Sequence, residues 1–349
     1  MLRICSFPGG FTRPTGDLGL QLYRRTDHVE TRSPPYVLCS YCSCMLRIRE
    51  IGENELPELV EVAKAAMPRE DATVSGLIDW RNQAGATVWL LAERDGETAG
   101  AGFGLTGWHT PPHRAIGAAL VAPERRGAGT GAALLEAVAG WALEQGATEL
   151  EGAVSEDDSG SLAWTVRHGY EEVGRNSRLV LDLTATEAPA QSPPEGIEIV
   201  TWAERPELAA GIYEVAREAV PDIPGEEDDD IGTLDEWLAR DMQGESDDPN
   251  AVFVAVANGE VAGFAKLSLS PERRDRAFHD LTGVKRAHRG RGIAAALKRT
   301  QIAWAKANGY TSLQTSNEVR NEPIRRLNEK HGYVLEPGVV IVRATIAAT

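Results

Sequence analysis

Two glycine-rich segments carry the residues best suited to chemistry, and each could bind a pyrophosphate. Both follow a stretch typical of a β-strand and precede a helical pattern. Glycines let the backbone approach a ligand closely and expose successive N–H groups, and the N-terminus of the next helix adds partial positive charge. The candidate binding residues are Arg126, Gly127, Ala128, Gly129, Thr130 and Gly131 in the first segment, and Arg289, Gly290, Arg291, Gly292, Ile293 and Ala294 in the second.

Neither segment has the spacing of the two best-known phosphate loops. A dinucleotide-binding loop reads G-x-G-x-x-G with an acidic residue about 20 positions later, and a P-loop ends in Gly-Lys-Ser/Thr. Both patterns are missing from the two segments. A glycine turn between strand and helix that binds nothing therefore stays an alternative for each.

The two segments belong to a long internal repeat. The 75 residues from Gly96 to Tyr170 align without a gap on residues 259–333, at a constant offset of 163 positions. Solenoid repeats have periods of roughly 20–50 residues, so this repeat indicates a duplicated domain. The matched positions are mostly glycines and small residues, which favours a conserved backbone conformation over a conserved core alone.

The elements that must position the loops follow the same order in each copy. A hairpin is predicted about the Asp95 and Gly96 turn and again about Asn258 and Gly259, because these pairs suit tight turns. A strand, the glycine loop, a helix and a further strand come next. This order predicts a mixed sheet of α+β class. We predict an N-terminal domain over 45–184, a Pro-rich linker over 185–196 and a C-terminal domain over 197–349.

Residues 1–44 differ from the rest of the chain. They hold all four cysteines, including Cys39, Cys42 and Cys44, and are rich in Arg, Pro and Gly without periodicity. The cysteine cluster could be half of a metal site, but no second Cys/His pair follows at zinc-like spacing, so no metal is expected. We predict that Met45 is the true start and that 1–44 is upstream sequence translated in error, with a disordered N-terminal tail as the alternative.

Composition limits the partners. The net charge is −16 over 349 residues, which argues against nonspecific binding to nucleic acid or anionic lipid. No run of 18 or more apolar residues indicates a membrane span, and no signal peptide is evident. The expectation is a cytoplasmic protein with a small-molecule partner.

The segment from Val284 to Ala294 closely resembles motif A of the GNAT acetyltransferases. In that motif, an Arg or Gln lies five positions after a strand valine and begins the pattern Arg/Gln-x-x-Gly-x-Gly/Ala. The segment from Val121 to Gly131 fits equally well, and Asn321 through Gly332 and Tyr333 is similar to the end of the family fold.

The resemblance implies two tandem GNAT-like domains, each a mixed, mostly antiparallel twisted sheet flanked by helices. It implies acetyl-CoA in each loop, with pantetheine along the strands of Val121 and Val284, with Asn321 among the binding residues, and with an amine as acceptor. The two domains are expected to pack as an intramolecular pseudo-dimer.

The same resemblance locates candidate catalytic positions. Many members carry a Glu four residues before the strand valine, where this chain has Asp280 in the second copy and Gly117 in the first. A carboxylate there can take the proton from an amine. The alternative is that Asp280 has no catalytic role and pairs with a neighbour such as His279 or Arg276. The family tyrosine that protonates the leaving thiolate corresponds to Thr165 and Asn328, and neither is a good acid.

The acidic run from Glu226 to Asp230 could attract a cationic amine, or could simply be a solvated charge run. We predict an acetyl-CoA-dependent N-acetyltransferase for a small amine, with the C-terminal domain as the catalytic half. A non-catalytic acyl-CoA-binding or regulatory protein is the main alternative. A protein or peptide acetylase, and an enzyme like mycothiol synthase, which has a similar two-domain layout, also stay open.

Overall fold

The computed structural model describes residues 46–70, 72–107, 110–224 and 231–347. They form two compact units. The first unit contains the described residues up to Ala153, together with Thr165–Glu171 and the residues from Val342 onward, and the second contains Val154–Trp164 and Glu172–Ile341. The predicted N-terminal extension, its cysteine cluster, Met45 and the acidic run from Glu226 to Asp230 lie outside the described residues.

The first unit begins with a β-hairpin meander and two helices. The Asp95 and Gly96 turn has φ values of 54° and 84°, so the predicted hairpin is confirmed. The elements are β1 (Leu46–Glu50), α1 (Leu56–Ala66), α2 (Val74–Gln83), β2 (Ala86–Arg94), β3 (Glu97–Thr106), β4 (Arg114–Leu120), α3 (Thr130–Glu144) and β5 (Glu149–Ser155). Strands β1 to β4 pair antiparallel in chain order, and β4 pairs parallel with β5.

The next elements are α4 (Ser159–Arg167) and β6 (Glu171–Asp182), followed by the linker. The second unit then repeats the order of the first. Its elements are β7 (Ile197–Thr201), α5 (Ala209–Ala219), α6 (Leu234–Asp241), β8 (Asp247–Ala257), β9 (Glu260–Leu269), β10 (Arg276–Val284), α7 (Ile293–Ala307), β11 (Ser312–Glu318), α8 (Glu322–Lys330) and β12 (Val334–Thr345). Strands β7 to β10 are antiparallel and β10 is parallel to β11, so the unit has the predicted mixed sheet.

Helices cover both faces of the sheet in the second unit. Apolar side chains point to both faces, because successive residues of a strand alternate between them. In β8, Phe253 and Ala255 belong to the core beneath α7, whereas Val252 and Val254 belong to the core beneath α5 and α6. This alternation fixes the register, since a one-residue slip would exchange the two sets.

Strand β6 precedes the linker but completes the sheet of the second unit. It runs antiparallel to β11 through seven aligned pairs, from Asp182 opposite Ser312 to Asn176 opposite Glu318. Conversely, the last residues of β12 belong to the first unit, where Arg343 forms a buried ion pair with Glu151 of β5 at 2.8 Å. The compact units are therefore not contiguous in sequence.

The parallel strands in each unit separate soon after they pair. In the second unit the pairing of β10 with β11 ends at Phe278 and Gln314, although the strands continue to Val284 and Glu318. In the first unit the pairing of β4 with β5 ends at Ile116 and Glu151. A wedge therefore opens between the strands, on the side toward the glycine loop. Among the described residues, no helix is both long enough and apolar enough to cross a membrane.

Candidate active site

The second glycine loop presents backbone N–H groups at the mouth of the wedge. Gly290 and Gly292 have φ values of 75° and 81°, in the left-handed region that favours glycine. Helix α7 begins directly after Gly292, whose carbonyl accepts the first helical hydrogen bond from Ala296 at 3.0 Å. The N–H groups of the three residues before Ala296 therefore have no acceptor within the helix. Together with the helix dipole, they can bind an anion.

The first loop has the same backbone. Gly127 and Gly129 have φ values of 83° and 82°, and α3 begins directly after Gly129. In both loops the leading arginine binds the strand valine: Arg126 Nε donates to Val121 O at 3.1 Å, and Arg289 Nε donates to Val284 O at 2.9 Å. The arginine thus holds each loop against the end of its strand.

The loops differ in charge and in their contacts. The second is the more cationic, with Lys285, Arg286, Arg289 and Arg291, which suits a polyanionic ligand. Asp222 partly balances these charges, because it pairs with Arg286 and with Arg289, both at 2.6 Å. In the first loop, Arg94 donates to Ala128 O at 2.7 Å, while Thr130 is buried and Gly131 follows it in α3.

A cavity of about 600 Å³ occupies the wedge of the second unit. Its walls come from β10, β11, the loop and α7, and its lining includes most of the second set of predicted residues. Those predicted residues are Asp280, Val284, Arg289, Gly290, Gly292, Ile293, Ala294 and Asn321. Arg291 does not line the cavity and contacts His288 at 3.0 Å.

A β-bulge gives Asp280 its position. His279 lies opposite Leu267, and Thr282 lies opposite Ala265, so two residues of β10 face one residue of β9. Bulges of this kind redirect a side chain and are frequent beside active sites. The side chain of Asp280 is about 10% exposed and lies 2.7 Å from Nζ of Lys266. Lys266 is thus an ion-pair partner that the sequence did not suggest, whereas both ring nitrogens of His279 contact Gln301 and Tyr333 instead.

Lys266 joins two carboxylates in the interior. Its Nζ also contacts Asp247 at 2.7 Å and donates to the backbone carbonyl of Asp241. Burial opposes the charge of Lys266, but Asp280 and Asp247 outweigh this effect and raise its pKa. Burial also raises the pKa of Asp247, and the proximity of Lys266 lowers it only in part. With both carboxylates ionised, the cluster has a net charge of −1, and it meets the cavity at Asp280.

A second buried cluster lies on the α7 side of β10. Gln301 Nε2 donates to Lys266 O at 3.1 Å, so its Oε1 is the acceptor for His279 Nδ1 at 3.0 Å. The Nε2 of neutral His279 then accepts the hydroxyl proton of Tyr333. Burial lowers the pKa of His279 well below its usual value and raises that of Tyr333, so both are neutral near pH 7.

Lys298 of α7 also lines the cavity, and it is 1% exposed. Its Nζ lies 5.3 Å from the centre of the Tyr333 ring. Burial lowers the pKa of Lys298 to about 7. The sequence motifs indicated neither Lys298 nor Lys266, and they indicated His279 only as a possible partner of Asp280. The signal was present in the repeat, because an apolar helix position of the first copy is a lysine in the second.

The two copies differ at five of these polar positions, whereas Tyr333 corresponds to Tyr170. At the offset of 163, the second copy's Lys266, His279, Asp280, Lys298 and Gln301 correspond in the first copy to Phe103, Ile116, Gly117, Leu135 and Val138. Phe103 contacts Trp80 and Trp89, with ring centres 5.5 and 6.0 Å away. The first copy has therefore kept the loop backbone but replaced the polar cluster by an apolar core.

The first unit has no space for an acid at position 117. A Cβ on Gly117 would lie 2.7 Å from Val138 Cγ1 and 2.8 Å from Phe103 O. We expect Gly117→Asp to lower the free energy of unfolding by about 3 kcal/mol, because it overpacks the core and buries a charge. Urea unfolding measures this change.

The control for that variant is Gly140→Asp on the exposed face of α3, where a Cβ would meet nothing within 4 Å. Its stability should change by no more than about 0.5 kcal/mol. Wild-type stability of Gly117→Asp would show that the first wedge can accommodate a carboxylate.

The positions of the family tyrosine are buried in both copies. Thr165 is 8% exposed, and Asn328 is fully buried with its Nδ2 donating to Asn317 Oδ1 at 3.0 Å. Neither lines the cavity of the second unit. Any proton donor to a leaving group there must come from another element.

Comparison with known proteins agrees with the duplicated architecture. The model of the acetyltransferase (GNAT) family matches twice, over residues 50–170 and 210–333. No curated protein matches the sequence.

Several solved structures share the fold. A GCN5-related N-acetyltransferase from Sphaerobacter thermophilus is 23% identical with a TM-score of 0.69, over 87% of this chain and 96% of that chain. A tandem GNAT protein from the clavulanic acid biosynthesis pathway is 20% identical with a TM-score of 0.70, over 87% and 99%. The family matches cover most of the chain, and the fold has the same tandem form. The protein therefore belongs to the acetyltransferase (GNAT) family and contains two GNAT domains.

Proposed function

We propose that the protein is an acetyl-CoA-dependent N-acetyltransferase that acts on a small amine, and that the second unit catalyses the transfer. The observation that carries the proposal is the single cavity that joins an anion-binding loop to Asp280. The first copy has a similar loop backbone, but Gly117 stands at the position of the acid.

The second loop fits the phosphates of acetyl-CoA. A Cβ on Gly290 would meet no atom within 4 Å, and one on Gly292 would meet only Pro194 Cγ at 3.9 Å. The space beside both glycines is thus open to a ligand. Residues 290–295 would hold the pyrophosphate through their N–H groups, while Arg289 and its basic neighbours add positive charge. Val284 and the unpaired edge of β10 would hold the pantetheine arm.

Acetyl-CoA supplies an activated acetyl group as a thioester. The chain's part is to bring a neutral amine to it. An amine enters as a cation, and the net negative charge at Asp247, Lys266 and Asp280 favours its approach. Asp280 then accepts the ammonium proton, directly or through a water, so that the nitrogen lone pair can attack. Leu281 and Ile324 also line the cavity and limit the access of competing water.

Binding without catalysis is the second candidate function. The first unit favours binding without catalysis, because its loop has a backbone suited to acyl-CoA but the residues at the positions of the polar cluster are apolar. In this form the first unit would sense acyl-CoA while the second transfers the acetyl group. If neither unit transferred it, the whole protein would be a binding or regulatory module.

A turnover assay distinguishes the two candidates. The wild-type protein is incubated with acetyl-CoA and a panel of small primary amines, with matched alcohols and carboxylates as controls, and thiol release is followed. We expect thiol release with amines only. Binding of acetyl-CoA without thiol release for any amine would refute the enzymatic proposal and favour the binding module.

A further inference from the structure

Lys298 is a buried cation for which the base mechanism above gives no role. Among the described residues, no carboxylate forms an ion pair with it, and its Nζ has no hydrogen-bond partner. An unpaired ammonium in the interior is costly, since burial removes its hydration. A lysine retained at such a position has a use that offsets this cost.

The surroundings of Lys298 exclude a structural explanation by pairing. The titratable groups that face it are His279 from β10, Tyr333 before β12 and His331 after α8. His279 and Tyr333 are hydrogen-bonded to each other, with the tyrosine donating, and both are neutral. His331 accepts no proton readily either, because burial lowers its pKa. None of these groups neutralises the ammonium.

Lys298 and Asp280 line the same cavity from different elements. Asp280 belongs to the cluster on the α5 and α6 side of β10, through Lys266. Lys298 projects from α7 beside His279, the first residue of β10 beyond the last pair with β11. A ligand that enters the wedge as far as this point therefore has the acid on one side and the lysine on the other.

On the basis of the proposed acetyl transfer, we propose that Lys298 is a catalytic residue that protonates the leaving thiolate. Tyr333 cannot replace it because its hydroxyl proton is engaged by His279. Asn328, at the position of the family tyrosine, is hydrogen-bonded to Asn317 and does not line the cavity. In the first copy, Leu135 occupies the position of Lys298, and Gly117 occupies the position of Asp280, so that copy lacks both residues.

The protons balance as follows. Asp280 takes one proton from the ammonium form of the acceptor, and the amine nitrogen forms a bond to the thioester carbon. When the tetrahedral adduct collapses, the carbon–sulfur bond breaks and Lys298 transfers a proton to the sulfur. The nitrogen loses its second proton to solvent, and neutral Lys298 regains one from solvent. Asp280 then releases the proton that it took to solvent, which restores the carboxylate. The net products are the acetamide, the free thiol and one proton.

The test uses Lys298→Met, which keeps the length of the side chain and removes the charge. Because an unpaired buried charge is lost, the variant should be at least as heat-stable as the wild type. We expect kcat to fall about 100-fold. In the wild type, kcat should decrease as pH rises through about 7, where Lys298 loses its proton, and this decrease should be absent in the variant. Lys330→Met, on the exposed part of α8, should behave as the wild type.

A second readout needs no turnover. Free coenzyme A is bound to each protein, and the ultraviolet absorbance of its thiolate is titrated against pH. A nearby ammonium stabilises the thiolate, so the bound thiol should ionise at lower pH in the wild type than in Lys298→Met. Lys330→Met again serves as the control. The binding readout separates a failure of the Lys298 proposal from a failure of the amine-transfer proposal.

Three results would overturn the proposal. The first is equal thiol titration in the wild type and Lys298→Met. The second is an unchanged pH profile of kcat in the variant. The third is stoichiometric acetylation of Lys298 itself by acetyl-CoA, detected by mass spectrometry, since the residue would then be an acyl acceptor. If coenzyme A binds but no amine is acetylated, the amine-transfer proposal fails. The thiol titration still shows whether Lys298 lies close enough to the bound thiol to change its ionisation.

Discussion

Gly292→Glu should abolish acetyl-CoA binding at the second loop, and turnover with it. A side chain at φ 81° is strained by about 1–2 kcal/mol, and the new carboxylate would lie where the loop N–H groups receive phosphate. We expect binding at this loop to weaken by at least about 100-fold, which corresponds to about 2.7 kcal/mol. Isothermal titration calorimetry should show two binding events for the wild type and one for the variant.

Two matched variants control this result. Gly292→Ala has the same backbone strain without the charge, and open space surrounds its Cβ, so binding should weaken by about tenfold at most. Gly129→Glu places the same carboxylate in the first loop, and it should remove the other binding event while turnover persists. Loss of turnover in Gly129→Glu, with its fold intact, would contradict the assignment of catalysis to the second unit. A single binding event in the wild type would mean that one loop does not bind the donor.

Asp280→Asn is expected to lower kcat by about 10²- to 10⁴-fold, because the acceptor amine loses its base. Asparagine keeps the shape of the side chain and its place beside Lys266. Lys266 still has Asp247 as its ion-pair partner at 2.7 Å, so the variant should remain folded. Steady-state kinetics with the best amine of the panel, together with thermal unfolding, measure both effects.

Asp247→Asn is the matched control for Asp280→Asn. It removes the same charge from the same lysine, and Asp247 does not line the cavity. The two variants should therefore lose similar stability, whereas only Asp280→Asn should lose most of its kcat. Equal losses of kcat would mean that the charge of the cluster matters and that Asp280 is not the base. An unchanged kcat in Asp280→Asn would remove its proposed role.

The candidate site was predictable from the sequence where the chemistry lies in one short segment. The glycine loops are an example, because a positive φ is a local property that glycine adopts at low cost. The hairpin turns at Gly96 and Gly259 are another, and their left-handed φ values confirm them. The predicted helices after the loops are a third example, since apolar periodicity specifies them locally, and α3 and α7 begin directly after Gly129 and Gly292.

Contacts between distant segments were not predictable in this way. No local pattern indicated Lys266 as a neighbour of Asp280, and it is a β-bulge and the pairing of β9 with β10 that bring the two together. Asp247 joins the same lysine from a further strand. Strand β6 extends over Glu171–Asp182, where its second half pairs with β11.

The amino-acid sequence by itself determined the duplication, the α+β class and the two glycine-rich loops, because each depends on residue type and short-range periodicity. Only the tertiary structure decided which polar residues share the cavity, and that Lys298 is buried there without a counter-ion. It also decided that β6 completes the sheet of the second unit. Burial and strand pairing depend on the packing of segments far apart in the chain, and no local pattern specifies them.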